Sequence, residues 1–206
     1  IWRPALKAAG LGAEVDDRAI KLTRRVVFVI LGINAIGAVL TLAAQSQLVG
    51  DTWLSTRVGR VWIGRAATLI ALGVLSEDIA AVGRRDRGSI WLNLIVGWLG
   101  LQLFFLTTLT SHSAAVTSPP VLPFLADWLH LIGTSLWIGA LVQLAVIVPQ
   151  VVKELNTEDR AWLWLKVVVD FSTAGAFGVG LLLITGTYMS ALSVGDWPAL
   201  INTAYG

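Results

Sequence analysis

The chain has 206 residues, 56% of them hydrophobic and only 14% charged, with a formal charge of +2 from 15 Lys and Arg against 13 Asp and Glu. An ordinary soluble domain carries about a quarter charged residues, so a water-facing surface is hard to build here and lipid must cover much of the molecule. Cysteine is absent, which removes disulfides, thiolate metal sites and cysteine nucleophiles together, and the basic residues lie in short loops without interleaved aromatics, which gives no support to nucleic acid as a partner.

Lipid offers no hydrogen-bond partner to backbone N–H and C=O groups, so spanning elements are helices or a closed barrel, and the long unbroken apolar runs select helices. The expected fold is an all-α, polytopic transmembrane helical bundle with at least five spans, read as a fragment of a longer domain because the chain opens on Ile1 and closes on Tyr205-Gly206 where a further span is expected. Residues 1–25 read as a polar cytoplasmic juxtamembrane segment with some helical character and no signal-peptide core, carrying Arg3, Lys7, Arg18, Lys21, Arg24 and Arg25. The first span is about 26–49, interrupted by Asn34, and a link with Asp51, Arg57 and Arg60 leads to the second, about 58–82. That second span holds Arg65, with Glu77 and Asp78 near its far end, and the tight loop around Arg84, Arg85 and Arg87 closes the hairpin. Span three is about 90–110. It is followed by His112 and by Pro119-Pro120, which make the next link irregular because proline lacks a donor and restricts the residue before it. Span four, about 124–151, is apolar except for Asp127, His130 and Gln143, and Pro149 is expected to end or kink it. A charged loop over 153–166 precedes span five, about 167–192, whose Gly175, Gly178, Gly180 and Gly186 suit close helix packing. Residues 193–206 read as an extracytoplasmic interfacial tail leading toward a possible further span.

Orientation follows from the Lys and Arg count. Twelve of the fifteen fall in residues 1–25, 83–89 and 152–166 and only two in the alternate links, with Arg65 left inside a span. The positive-inside rule then places the first set in the cytoplasm and the links containing Asp51, His112 and Trp197 outside.

Both histidines fall at the outer level, His112 after span three and His130 about two turns into span four. Asp127 lies three residues before His130 and shares its helix face, where its carboxylate is placed to accept the imidazole N–H and fix the tautomer. Thr134 and Trp137 extend this face inward. Near the outer end of span five stand Thr187, Tyr188 and Met189, the only methionine. Imidazole and thioether suit copper, the sulfur favouring the cuprous form, so His112, His130 and Met189 form a candidate metal site. The plainer alternatives are interfacial hydrogen-bonding histidines, a methionine in apolar packing and Tyr188 as an interfacial anchor. Arg65 is costly in hydrocarbon unless it faces the bundle. It is positioned to attract an anionic group, to meet a haem propionate, to pair with Asp127, or simply to snorkel. Glu77 and Asp78, on the opposite side, suit an inner exit or proton path, or juxtamembrane salt bridges with Arg84 and Arg85. The tryptophans, Trp62 and Trp128 near span ends among them, read as an aromatic belt, and Asn34 and Gln143 as interhelical hydrogen-bonding groups.

The motifs Gly59-Arg60-Val61-Trp62 with Arg65, His112-Ser113-Ala114-Ala115, and Ala126-Asp127-Trp128-Leu129-His130-Leu131 running on to Trp137-Ile138-Gly139 resemble the CopD/YcnJ family of copper-resistance and copper-transport membrane proteins. Phe171-Ser172, Thr185-Gly186-Thr187-Tyr188 and Thr203-Ala204-Tyr205-Gly206 extend the resemblance over roughly residues 58–206. It implies a polytopic helical domain that moves or handles copper across the cytoplasmic membrane. Asp170 departs from the basic residue expected before Phe171-Ser172. No His-rich or Met-rich capture domain accompanies the spans, so an extracytoplasmic copper chaperone or copper-binding domain is an expected partner, with a homo-oligomer or a larger membrane complex as further possibilities.

Two classes of function remain open, neither requiring an enzyme's catalytic residues. The first is a copper transporter using His112, His130 and Met189. The second is a haem-binding redox or assembly protein with His112 and His130 as axial ligands and Arg65 at a propionate, beside which stands a noncatalytic subunit of a membrane complex.

Overall fold

The computed structural model describes residues 13–49, 55–82, 88–111, 121–153 and 155–194. Five helices account for almost all of them: α1 (Ala13–Val49), α2 (Arg57–Val82), α3 (Gly88–Thr108), α4 (Val121–Val142, then a π-helical turn at Gln143–Ile147 and a last α turn at Val148–Val152) and α5 (Thr157–Val194). The shortest, α3, has 21 residues. At about 1.5 Å per residue it still reaches about 30 Å, the thickness of a hydrocarbon core. All five are long and apolar enough to cross a membrane, and the molecule is an all-α polytopic bundle.

Successive helices pack side by side, with α4 against α5 forming the most extensive interface, and α1 returns to touch the π turn and last turn of α4. The most completely buried cluster lies where the start of α1, the end of α4 and the start of α5 converge: Ala19, Ile147, Val148, Val151, Val152, Leu163 and Val167. Elsewhere large apolar side chains point outward, among them Ile36 and Leu40 on α1, Trp91 and Trp98 on α3, and Phe177 and Ile184 on α5. In water such a surface would aggregate. Against lipid tails it is the expected exterior.

Two helices run past the boundaries expected from hydropathy. The first begins at Ala13, inside the charged segment, and α5 begins at Thr157, inside the stretch read as a charged loop. Local capping explains the second. Asn156 accepts the backbone N–H of Asp159 through Oδ1 at 2.9 Å, and Glu158 and Asp159 occupy the first turn, where carboxylates favour the helix N-terminus. Arg160 then donates to the carbonyls of Val152 and Lys153, each at 3.2 Å, covering the exposed C-terminal end of α4.

Helix α4 continues to Val152, past Pro149. The π turn immediately before it lets Val148 N–H reach the Gln143 carbonyl, and the wider turn absorbs the donor and the space that proline denies a regular helix. Asn34 bonds within its own helix, Nδ2 to the Ile30 carbonyl at 3.0 Å on an exposed face, rather than across helices. Trp62 and Trp128 do bond between helices. Their indole N–H groups donate to the Ala38 carbonyl of α1 (2.9 Å) and the Leu101 carbonyl of α3 (3.1 Å).

Candidate metal site

A close approach of α4 and α5 sets the geometry of the candidate site. On α4 a Cβ added at Gly133 would lie 3.0 Å from the Gly178 carbonyl oxygen, and on α5 one added at Gly178 would lie 3.1 Å from the Gly133 oxygen. Only glycine at both positions lets these backbones touch. His130 stands one turn before Gly133, and its side chain leans toward the α4 N-terminus, as helical side chains do, bringing the ring onto the C-terminal part of α5. There the imidazole lies against Gly186, whose added Cβ would sit 3.6 Å from ring atom Cε1.

His130 Nδ1 is 2.9 Å from Thr185 Oγ1, while Thr185 Oγ1 is 2.7 Å from the Leu181 carbonyl. A hydroxyl has one hydrogen. The carbonyl can only accept, so it takes that hydrogen, and Nδ1 must then be the donor to the hydroxyl oxygen. The neutral ring thus carries its proton on Nδ1 and presents Nε2 as the basic nitrogen. The Nδ1–Cε1 edge of the ring lies against Thr185 and Gly186 of α5.

Asp127 therefore does not hold the imidazole N–H in this structure; Thr185 does. In the sequence Thr185 stands out only as part of a motif, because its role depends on a helix 55 residues away meeting His130. Asp127 Oδ2 is enclosed without a hydrogen-bond partner. Thr134, next inward on the same α4 face, folds its hydroxyl back to the His130 carbonyl at 2.9 Å and so leaves the ring untouched. Met189 is half-buried one turn after Thr185 on α5, on the stripe that packs against α4, with Tyr188, also half-buried, beside it.

Arg65 is half-buried on α2, next to Gly64, which approaches Leu106 of α3. It shares the inward face with buried Val61 and Thr68. Its Nε is enclosed and without a partner, as is Thr108 Oγ1 on α3, so a pairing of Arg65 with Asp127 does not run through these atoms. The edge-to-face contact of Phe105 with Phe124, centroids 5.1 Å apart, sets α3 and α4 in register, and with Gly64 against Leu106 it puts Arg65, Thr108 and Asp127 toward the same end of the bundle. His112 lies outside the described residues, as do the side chains of Glu77 and Asp78. Among the described residues no three His, Cys, Asp or Glu side chains gather. Asp170, the departure noted from the family pattern, is paired on its own helix with Lys166 at 2.9 Å.

The chain is similar to the copper transport protein CutJ of Bacillus subtilis (strain 168). The two are 27% identical over 164 residues, covering 80% of this chain and 29% of that protein, so the chain spans less than a third of its relative's length. No family model matches the chain, and no solved structure matches it.

Proposed function

We propose that this chain handles copper at the outer level of a prokaryotic cytoplasmic membrane, as part of a copper-transport or copper-homeostasis protein of the CopD/YcnJ type. The observation that carries the proposal is His130. Its Nδ1–H is committed to Thr185 across the α4–α5 contact, which leaves Nε2 as the nitrogen with a free lone pair, the arrangement a ligating histidine needs. Similarity to a copper transport protein over 80% of the chain supplies the choice of metal.

In this reading copper is cargo. It reaches His130 Nε2 from outside, with His112 and Met189 as further donors, and leaves along the face that continues through Thr134 toward the level of Glu77 and Asp78. Binding has to be weak enough to release the ion. Residues 1–25 lie in the cytoplasm, and a copper chaperone or a copper-binding domain delivers from the other side.

Protein purified in detergent from copper-replete cells is expected to retain copper, and H130N to lose most of it. Metal analysis together with a visible spectrum decides the matter. A Soret band without copper would replace the reading with the haem alternative, and a wild-type protein free of both would end it.

A further inference from the structure

Two Lewis bases are left over on one face of α4. Asp127 Oδ2 is enclosed and bonded to nothing, and His130 Nε2 is basic because the Nδ1 proton is spent on Thr185. These residues are three apart, so their Cβ atoms lie about 5–6 Å from each other on neighbouring turns. Both side chains lean toward the α4 N-terminus, and the ring of His130 therefore covers the turn from which Asp127 projects. A carboxylate and an imidazole at this spacing are a recurring metal-binding pair inside helical bundles.

No hydrogen bond reaches the enclosed Oδ2 from its polar neighbours. Thr134 is engaged with the His130 carbonyl, Thr185 with His130 and Leu181, and Trp128, the next residue on α4, sends its N–H to Leu101 of α3. Phe124 and Trp128 point toward Phe105 on α3, whereas His130 and Gly133 point toward α5. At 100° per residue, Asp127 projects between those two faces, toward the interior that Arg65 faces from α2. A cation held by Oδ2 and Nε2 gives that enclosed oxygen the partner it lacks.

We propose that Asp127 is a direct copper ligand, paired with His130 on one helix face, and that this oxygen–nitrogen pair selects the divalent ion. The inference rests on the copper reading above and changes the role of Asp127 from positioning His130 to binding the cargo. Carboxylate oxygen and imidazole nitrogen suit cupric copper, and the soft Met189 thioether, which would favour the cuprous form, is then secondary.

The test is electron paramagnetic resonance of the full chain in detergent, titrated with Cu(II), for wild type, D127N, D127E and H130N. Wild type is expected to give one bound signal with imidazole nitrogen coupling. The D127N variant should weaken binding more than about 100-fold, beyond the roughly 10–100-fold loss seen when a residue merely orients a ligand. Any signal that remains at high copper should have altered g and hyperfine values. D127E keeps the oxygen donor one methylene displaced, and is expected to bind with a shifted spectrum even if the amide variant fails to fold. D127N or D127E with wild-type spectra, alongside H130N that loses copper, would overturn the ligand assignment and leave the copper reading intact. Wild type that takes up no Cu(II) but retains Cu(I) through His130 would overturn the selection for the divalent ion. Wild type that binds neither would remove both inferences.

Discussion

Replacing Gly133 by alanine probes the contact on which the position of His130 depends. The new Cβ would sit 3.0 Å from the Gly178 carbonyl oxygen and 3.3 Å from both Leu181 Cβ and Leu182 Cγ. The first of these is backbone and cannot rotate aside. Restoring an ordinary contact of about 3.4 Å forces α4 and α5 apart by about 0.4 Å, and overpacking of this kind costs about 1–3 kcal/mol. The same displacement stretches the 2.9 Å bond between His130 Nδ1 and Thr185, so copper retention should fall with stability. Gly139, in the same helix, has nothing within 4 Å of an added Cβ, and G139A should gain up to about 1 kcal/mol from helix propensity alone. Thermal unfolding in one detergent, read by circular dichroism, compares the two. If G133A melts at or above the temperature of G139A, the close approach of these backbones is not what holds the pair together.

Three further outcomes test separate parts of the structure. T185V removes the acceptor for the imidazole N–H at nearly constant volume and should lower copper affinity about 10–100-fold, whereas T185S should keep it; equilibrium dialysis measures both. W128F deletes the indole bond to the Leu101 carbonyl and should cost about 1 kcal/mol in thermal unfolding, with copper retention unchanged. Because the chain has no native cysteine, T110C and N156C, both at exposed positions, report topology directly. An impermeant maleimide should label T110C from outside the cell and N156C only after lysis, and the reverse pattern would invert the proposed orientation.

The lipid-facing character of the chain was legible without any coordinates, because it depends only on composition and on the length of apolar runs. So were the existence of five helices and the placing of His130 and Asp127 on one face, which follow from helical periodicity. Helix ends were less legible. The start of α5 is fixed by Asn156 and Arg160, polar groups that hydropathy reads as loop, and the path of α4 through Pro149 depends on a π turn that no composition announces.

What only the tertiary structure decided is which groups remain unpartnered. Sequence spacing offered Asp127 to the His130 ring as the nearest acceptor, yet Gly133 and Gly178 bring α5 close enough for Thr185 to take that place. Spacing along one helix sets which side chains are able to meet, whereas hydrogen bonding is a competition among every group within reach. That competition is settled by how closely a second helix approaches.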